Sequence, residues 1–146
     1  ALVMVRRHRL IETFLVETLG YRWDEVHEEA EQLEHAVSDL MVERIDDVLG
    51  RPQRDPHGDP IPDSEGRIAE TRALRLSDFR EGDEVTIVRV SDHEPALLRY
   101  LEEQGIVPGE VVRVVSRNEF AGSMTLTVVG REVSLALVAA NAVWGA

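Results

Sequence analysis

The sequence contains no cysteine among its 146 residues. This absence excludes disulfide frameworks, iron–sulfur clusters, thiolate zinc sites and thiol nucleophiles, so any bound metal must have nitrogen and oxygen ligands. No apolar run approaches the roughly 18 residues that a membrane span requires. The apolar residues 1–5 lead directly into an arginine-rich segment, without the features of a secretory signal. We therefore expect a cytoplasmic protein.

Common catalytic and nucleotide-binding motifs are also missing. The sequence has neither GxGxxG nor GxxxxGK, and neither GxSxG nor HExxH. We therefore predict that the chain is not an enzyme. Basic residues are few, with 16 against 28 acidic ones and a formal net charge of −12. Such a chain repels phosphate backbones and attracts cations, so we expect no nucleic-acid binding by these residues alone.

Residues 1–50 have the apolar spacing of helices. Gly20 is placed to end the first helix, Asp24 to cap the second, and Ser38 to begin a third. Four of the six prolines lie in residues 51–62, which predicts a stiff, extended connection. The predicted apolar stripe of the second helix is formed by Val26, Ala30, Leu33, Val37 and Met41.

The second half of the chain has the pattern of β-strands. Alternating β-branched runs occupy residues 84–90 and 110–115, and further strands are expected at 124–129 and 132–137. A short helix is predicted before Gly105. These patterns favour an α + β protein whose second part is a small β-barrel of about five strands. We predict a helical domain at residues 1–65, a linker at 66–73 and the β-domain at 74–146.

The densest group of candidate ligands lies on the second predicted helix. His27, Glu31, Glu34 and His35 fall within roughly one third of the helix circumference. His8 and Glu12 lie one turn apart on the first helix. Imidazoles and carboxylates converging between helices can hold a divalent cation, and the carboxylate majority favours Mn(II) or Fe(II). The alternative is that these residues form ion pairs on a solvated surface.

Two loops contain further candidate ligands. Asp55, His57 and Asp59 surround an Asp-Pro-His-Gly turn, where short polar side chains also serve plain turn formation. Asp92 lies just before the predicted short helix, where it is equally suited to cap that helix.

Three motifs together resemble one known family. RHRLIE at residues 7–12, WDEVHEEAEQLEH at 23–35 and DPHGDPIP at 55–62 are similar, in order and spacing, to the metal-dependent transcriptional repressors related to the diphtheria toxin repressor. LEEQGIVPG at 101–109 and GREVSL at 130–135 resemble the SH3-like domain that these repressors share with ferrous-transport accessory proteins, the FeoA-like domain.

The resemblance implies a helical metal-binding and dimerisation domain followed by a small SH3-like, FeoA-like β-barrel. It implies a cytoplasmic homodimer that senses Mn(II), or alternatively Fe(II). Operator DNA would be bound only through an N-terminal winged helix-turn-helix, which we expect to be missing from this sequence. Two alternatives remain open. One is a stand-alone metal-binding or ferrous-transport accessory module, and the other is a metal-free interaction protein.

The resemblance also assigns ligands. It places a primary site at Glu31, Glu34 and His35, with His8 nearby. An ancillary site maps to His8, Glu12 and His27. A second site of some manganese-responsive members maps to Glu12, Asp55, His57 and Asp92, with Asp55 replacing a cysteine. Glu31 stands where iron-responsive members typically have a sulfur ligand, and its oxygen donors favour Mn(II).

Overall fold

The computed structural model describes residues 2–146 and divides the chain into two compact units, residues 1–71 and 72–146. No helix within residues 2–146 combines the length and the apolar character that crossing a bilayer would demand. The first unit contains α1 (Leu2–Leu19), α2 (Val26–Glu34) and α3 (Asp39–Val48). The second contains β1 (Leu74–Arg75), β2 (Glu84–Val90), α4 (Pro95–Gln104), β3 (Val111–Asn118), β4 (Ser123–Val128), β5 (Arg131–Ala136), α5 (Leu137–Ala140) and β6 (Val143–Gly145).

The first unit is built around α1, which packs against both α2 and α3. Apolar residues at helical spacing face each other and are buried because their removal from water drives the packing. The core comprises Leu10, Ile11, Leu15, Val26, Ala30, Val42, Ile45 and Ile61. Since Ile61 follows the third helix, the core also anchors the proline-rich segment that continues from it.

Two predicted helix boundaries are confirmed, and the third lies one residue later than predicted. Gly20 follows the last residue of α1 with φ of 74°, and the Ser38 side chain accepts a hydrogen bond from the Met41 amide at the start of α3. The N-cap of α2 is Glu25, one residue after the predicted Asp24, and the Glu25 side chain makes no capping hydrogen bond. The predicted stripe is also interrupted. α2 ends at Glu34, so Val37 and Met41 belong to the turn and to α3.

The second unit is an antiparallel sheet with the strand order β1-β6-β2-β3-β4-β5. Its strands alternate buried and more accessible residues, as in β4, where Met124, Leu126 and Val128 are buried and their neighbours are half-buried. α4 adds Leu98 and Leu101 to this core and ends before Gly105. This antiparallel sheet with short helices agrees with the predicted small SH3-like domain of an α + β protein.

The predicted strand count was too low. Six strands are present, and their described pairings leave β1 and β5 as edges rather than closing the sheet into a barrel. The two unpredicted strands have only two and three residues, too few to show an alternating pattern. β6 nevertheless lies between β1 and β2, so the chain end is part of the sheet.

We predict that Gly145→Ala destabilises the second unit. A Cβ at Gly145 would collide with the Val85 side chain and lie 2.9 Å from the Thr86 carbonyl oxygen, a backbone atom that cannot move aside. We expect the free energy of unfolding to fall by about 1–3 kcal/mol. Urea denaturation measures this change. Ser134→Ala on the exposed face of β5 is the control, and equal stability of the two variants would contradict the prediction.

Candidate metal centre

The candidate metal centre lies within the first unit, where α1, α2 and the loop after α3 meet. His8 and Glu12 lie one turn apart on α1, so both face the same neighbour. His27 follows the buried Val26 on α2, and this buried contact fixes its position beside α1. His57 comes from the proline-rich loop and is fully buried. Side chains distant in sequence are therefore brought together by helix packing.

The Glu12 carboxylate lies at the middle of this group and is only 1% exposed. Glu12 Oε1 is 3.2 Å from His8 Nε2, and Glu12 Oε2 is 3.8 Å from His27 Nδ1. The same Oε2 is 3.9 Å from His57 Nδ1. His8 Nε2 and His27 Nδ1 are themselves 3.2 Å apart. Three imidazole rings thus direct one nitrogen each toward a single buried carboxylate.

The other nitrogen of each ring has an acceptor on the outside of the group. His8 Nδ1 is 2.9 Å from Glu34 Oε2, and His27 Nε2 is 3.3 Å from Glu31 Oε1. His57 Nε2 lies 2.6 Å from the carbonyl oxygen of Trp23, whose ring also stacks on the imidazole. A carbonyl only accepts, so His57 Nε2 carries the proton and Nδ1 keeps a lone pair. Outer acceptors of this kind orient metal-binding histidines.

The proline-rich loop is shaped by Asp55. Asp55 Oδ1 accepts hydrogen bonds from the amides of His57 and Asp59, each at 2.9 Å. The loop closes as Asp55 and Asp59 share a backbone hydrogen bond. Asp55 Oδ1 is therefore committed to the turn, and Oδ2 is left over as a possible ligand.

Several polar atoms at the centre are buried without a hydrogen-bond partner among the described residues. They are both carboxylate oxygens of Glu12, Oδ2 of Asp55 and Nδ1 of His57, with the indole nitrogen of Trp23 beside them. Burying polar atoms unpaired costs free energy, and natural proteins rarely leave such groups together. The first four are oxygen and imidazole donors, which suit a hard divalent cation. The residues present therefore fit the metal that the sequence resemblance implies.

Burial and neighbouring carboxylates shift the pKa values of two residues in this centre. Burial opposes the charged form of His8, but the nearby Glu12 and Glu34 carboxylates outweigh burial and raise the His8 pKa to about 9. Burial, assisted by the charges of Asp59 and Glu12, raises the Asp55 pKa to about 8. In the metal-free protein, protons retained on His8 and Asp55 therefore reduce the negative charge of the centre.

The remaining predicted ligands lie at the edge of this centre or elsewhere. Glu34 contacts two histidines, because its Oε2 lies against His8 and its Oε1 is 3.6 Å from His35 Nε2. His35 follows the end of α2 and is exposed, and it lines a surface depression with Glu28, Glu31, Gln32 and Glu34. Asp92 lies in the second unit, half-buried in the segment between β2 and α4. The assignment of individual ligands remains a prediction.

Sequence reasoning missed one contributor and anticipated another. The Trp23 carbonyl fixes the His57 proton, and no sequence pattern marks a backbone carbonyl as an acceptor. The turn-forming role of Asp55, predicted from the sequence as the alternative to metal binding, is confirmed by the two amides from which its Oδ1 accepts hydrogen bonds.

Comparisons with known proteins place these two units in one family. The family described as "Iron dependent repressor, metal binding and dimerisation domain" matches residues 1–63, and the FeoA domain family matches residues 74–146. The chain is 32% identical over 144 residues to the iron-dependent repressor IdeR of Mycobacterium leprae, covering 90% of this chain and 62% of that protein. It is 30% identical over 145 residues to the diphtheria toxin repressor of Corynebacterium diphtheriae, covering 92% and 63%.

The chain therefore spans less than two thirds of the length of these curated relatives. It is also similar to a solved manganese-dependent transcriptional repressor in complex with manganese. Identity there is 54% and the TM-score is 0.97, covering all of this chain and 70% of that one. Both domains, in the same order and with the same fold, establish that the chain belongs to the diphtheria toxin repressor family of metal-dependent transcriptional repressors.

Proposed function

We propose that this chain is the metal-sensing and dimerisation part of a Mn(II)-dependent transcriptional repressor that controls metal homeostasis, with Fe(II) as the alternative effector. The observation that carries this proposal is the convergence of three imidazole nitrogens on the buried Glu12 carboxylate. A surface ion-pair network would leave these groups in water. The metal-free interaction protein is therefore the weaker candidate.

The ligands proposed are those predicted from the sequence. Glu12 and His57 supply buried donors, His8 and His27 supply partly exposed ones, and Glu31, Glu34 and His35 form the adjoining edge. Asp92 of the second unit is retained from the resemblance alone. A divalent cation would neutralise carboxylates that otherwise repel one another. The residues on α1, α2 and the loop would then hold these elements in one arrangement, linking metal concentration to conformation.

The donor set supports Mn(II) as the effector. Every candidate ligand is a carboxylate or an imidazole, and the chain has no sulfur ligand of the cysteine type. Hard oxygen donors suit Mn(II), whereas soft ligands favour other metals. A 54% identical neighbour is described as manganese-dependent, while the 32% identical IdeR is described as iron-dependent.

Recognition of operator DNA is proposed to depend on residues outside this sequence. The formal charge of −12 opposes contact with phosphate groups, so these 146 residues are poorly suited to bind double-stranded DNA. A two-fold dimer would present two winged helices to the two half-sites of a palindromic operator. The dimer formed by the present residues would then set the distance between the two winged helices, which must match the spacing of the half-sites.

The helical unit is also proposed to form the dimer. On α3, Met41 and Val48 lie seven positions apart, hence on one face, and they are 48% and 71% exposed. Exposed apolar side chains sharing a helix face suit an interface between two copies.

We expect His8→Ala to weaken Mn(II) binding by more than about tenfold, because even residues that only orient a metal ligand contribute 10–100-fold. Isothermal titration calorimetry of the full chain measures this loss. His93→Ala, an exposed histidine of the second unit, is the matched control. Equal, weak heats for the wild type and both variants would contradict metal sensing and favour the metal-free interaction protein.

Mn(II) binding should release protons at pH 7. His8 has a raised pKa of about 9, so it is protonated in the metal-free protein and must lose that proton to bind. We expect His8 to release about one proton at pH 7 and progressively less above pH 9, and Asp55, whose pKa is raised to about 8, to add a second where its Oδ2 becomes a ligand. Calorimetry in buffers of different ionisation enthalpy counts these protons.

The same group sets a stability window for the metal-free protein. The raised pKa means that His8 contributes stability fully below its unfolded value of 6.5, and this contribution is lost as the pH rises through about 9. For the calorimetric experiment, His8→Gln is the test variant. If the number of protons released on Mn(II) binding is identical in the wild type and in His8→Gln, the result contradicts the role given to His8.

We predict that the chain sediments as a dimer and that Met41→Glu combined with Val48→Glu raises the dimer dissociation constant more than about tenfold. Each buried apolar side chain contributes about 1.5–3 kcal/mol, and 1.4 kcal/mol corresponds to a factor of ten. Analytical ultracentrifugation measures the effect. Phe120→Glu changes a fully exposed apolar residue of the second unit and serves as the control. An unchanged dimer would assign the interface to another face.

A further inference from the structure

The two edges of the sheet in the second unit differ in what contacts them. At β5, the Tyr100 hydroxyl of α4 donates to the Ser134 carbonyl oxygen at 3.4 Å, and Arg131 donates to the Glu103 carbonyl oxygen at 2.9 Å. α4 is therefore held against that edge. At β1, which has only the residues Leu74 and Arg75, the described chain provides strand pairing on the β6 side alone. An edge of this kind is a template for one further strand.

A row of three side chains crosses the sheet inward from the β1 edge. Strand pairing places Arg75 of β1 and Arg89 of β2 each opposite Trp144 of β6. Arg89 Cζ lies 3.9 Å from the centre of the Trp144 ring, and Arg75 Cζ lies 5.6 Å from it. Arg89 and Trp144 are half-buried, whereas Arg75 is exposed. The inner guanidinium therefore holds the indole ring, and the ring in turn holds the guanidinium at the edge.

Arg75 is held in place by this ring but has no acidic partner. Within residues 2–146 it forms no ion pair and no side-chain hydrogen bond, although the chain has 28 acidic residues against 16 basic ones. Two other arginines of the sheet are paired, Arg113 with Glu84 at 3.6 Å and Arg117 with Glu119 at 2.9 Å. A stacked guanidinium presents its N–H groups as a fixed fork that matches a carboxylate. The edge is therefore prepared for a carboxylate that this chain does not supply.

Leu74 gives the same edge a second recognition feature. Successive residues of a strand face opposite sides of a sheet, so Leu74 and Arg75 lie on different faces. The Leu74 side chain is 58% exposed. A strand added beside β1 would place one residue opposite Arg75 and the next residue opposite Leu74. An acidic residue followed by an apolar one complements this pair. A charged residue commonly protects an edge from pairing, but an exposed leucine beside it does not serve that purpose.

We propose that β1 is the docking edge for an extended acidic segment of a partner protein, which adds one strand to the sheet. One carboxylate of that segment binds Arg75, and the neighbouring apolar side chain covers Leu74. Backbone hydrogen bonds supply affinity, and the alternation of acidic and apolar residues supplies specificity. A second copy of this chain is a poor occupant, because symmetric pairing of two β1 strands brings both Arg75 side chains together on one face. The interface lies in the second unit and is independent of the metal centre.

A nuclear magnetic resonance titration of the full chain with a synthetic peptide tests this proposal. The probe is a short blocked peptide that alternates glutamate and valine. We expect a dissociation constant below about 1 mM, with shifts concentrated at the amides of Leu74 and Arg75 and at the Trp144 indole. The same peptide with lysine in place of glutamate should bind more than about tenfold more weakly, since its charge is reversed. Glutarate, at matched carboxylate concentration, offers the charge without a backbone and should also bind more than about tenfold more weakly.

Arg75→Glu should weaken binding of the acidic peptide more than about tenfold, because a like charge replaces a charge-assisted hydrogen bond. Arg113→Glu makes the same change of charge at an exposed position of β3 and is the matched control, with affinity expected within about twofold of the wild type. Arg75→Lys keeps the charge but loses the planar fork, so its affinity should be intermediate. The amide spectrum of each variant reports directly whether it folds.

Four results would overturn the proposal. They are no binding of the acidic peptide, equal affinity for the glutamate and lysine peptides, equal affinity of the wild type and Arg75→Glu, and binding of glutarate as tight as that of the peptide. The last result would make the edge a site for small anions. A change in the sedimenting mass of Arg75→Glu would instead assign the edge to a second copy and would also overturn the proposal. Each result leaves metal sensing by the first unit intact.

Discussion

Burial of the Glu12 carboxylate is the constraint on which the candidate site depends. A carboxylate that is 1% exposed requires compensating charge or hydrogen bonds, and the described residues give neither Glu12 oxygen a hydrogen bond. Three imidazoles surround it, and their outer nitrogens are paired with Glu34, Glu31 and the Trp23 carbonyl. The helix packing therefore assembles electron-donating groups around a position suited to a cation.

The arginines next to His8 help to hold this arrangement. Arg7 donates to the carbonyl oxygens of Glu34 and Val37, which fixes the end of α2 where two predicted ligands lie. Arg9 donates to the Pro60 carbonyl oxygen and so attaches the proline-rich loop to α1. Fixed guanidinium geometry makes arginine effective in such contacts. The Arg-Arg-His-Arg segment thus carries a candidate ligand and also positions two of the elements that surround it.

Family membership and site geometry support each other but answer different questions. The two family matches establish the domain types, and fold similarity alone does not define which atoms bind a metal. The unpartnered donors of Glu12, Asp55 and His57 provide that chemical argument. The absence of cysteine makes the whole set nitrogen and oxygen.

The sequence by itself determined the helical first half, the β-rich second half and the candidate ligands, because periodicity and motif spacing are local properties. It also placed the helix end at Gly20 and the cap at Ser38. The short strands β1 and β6 were decided by tertiary structure, since sheet pairing overrides weak local signals. Only the folded chain brings His27 and His57 to the His8–Glu12 pair, because that convergence depends on how three separate segments pack.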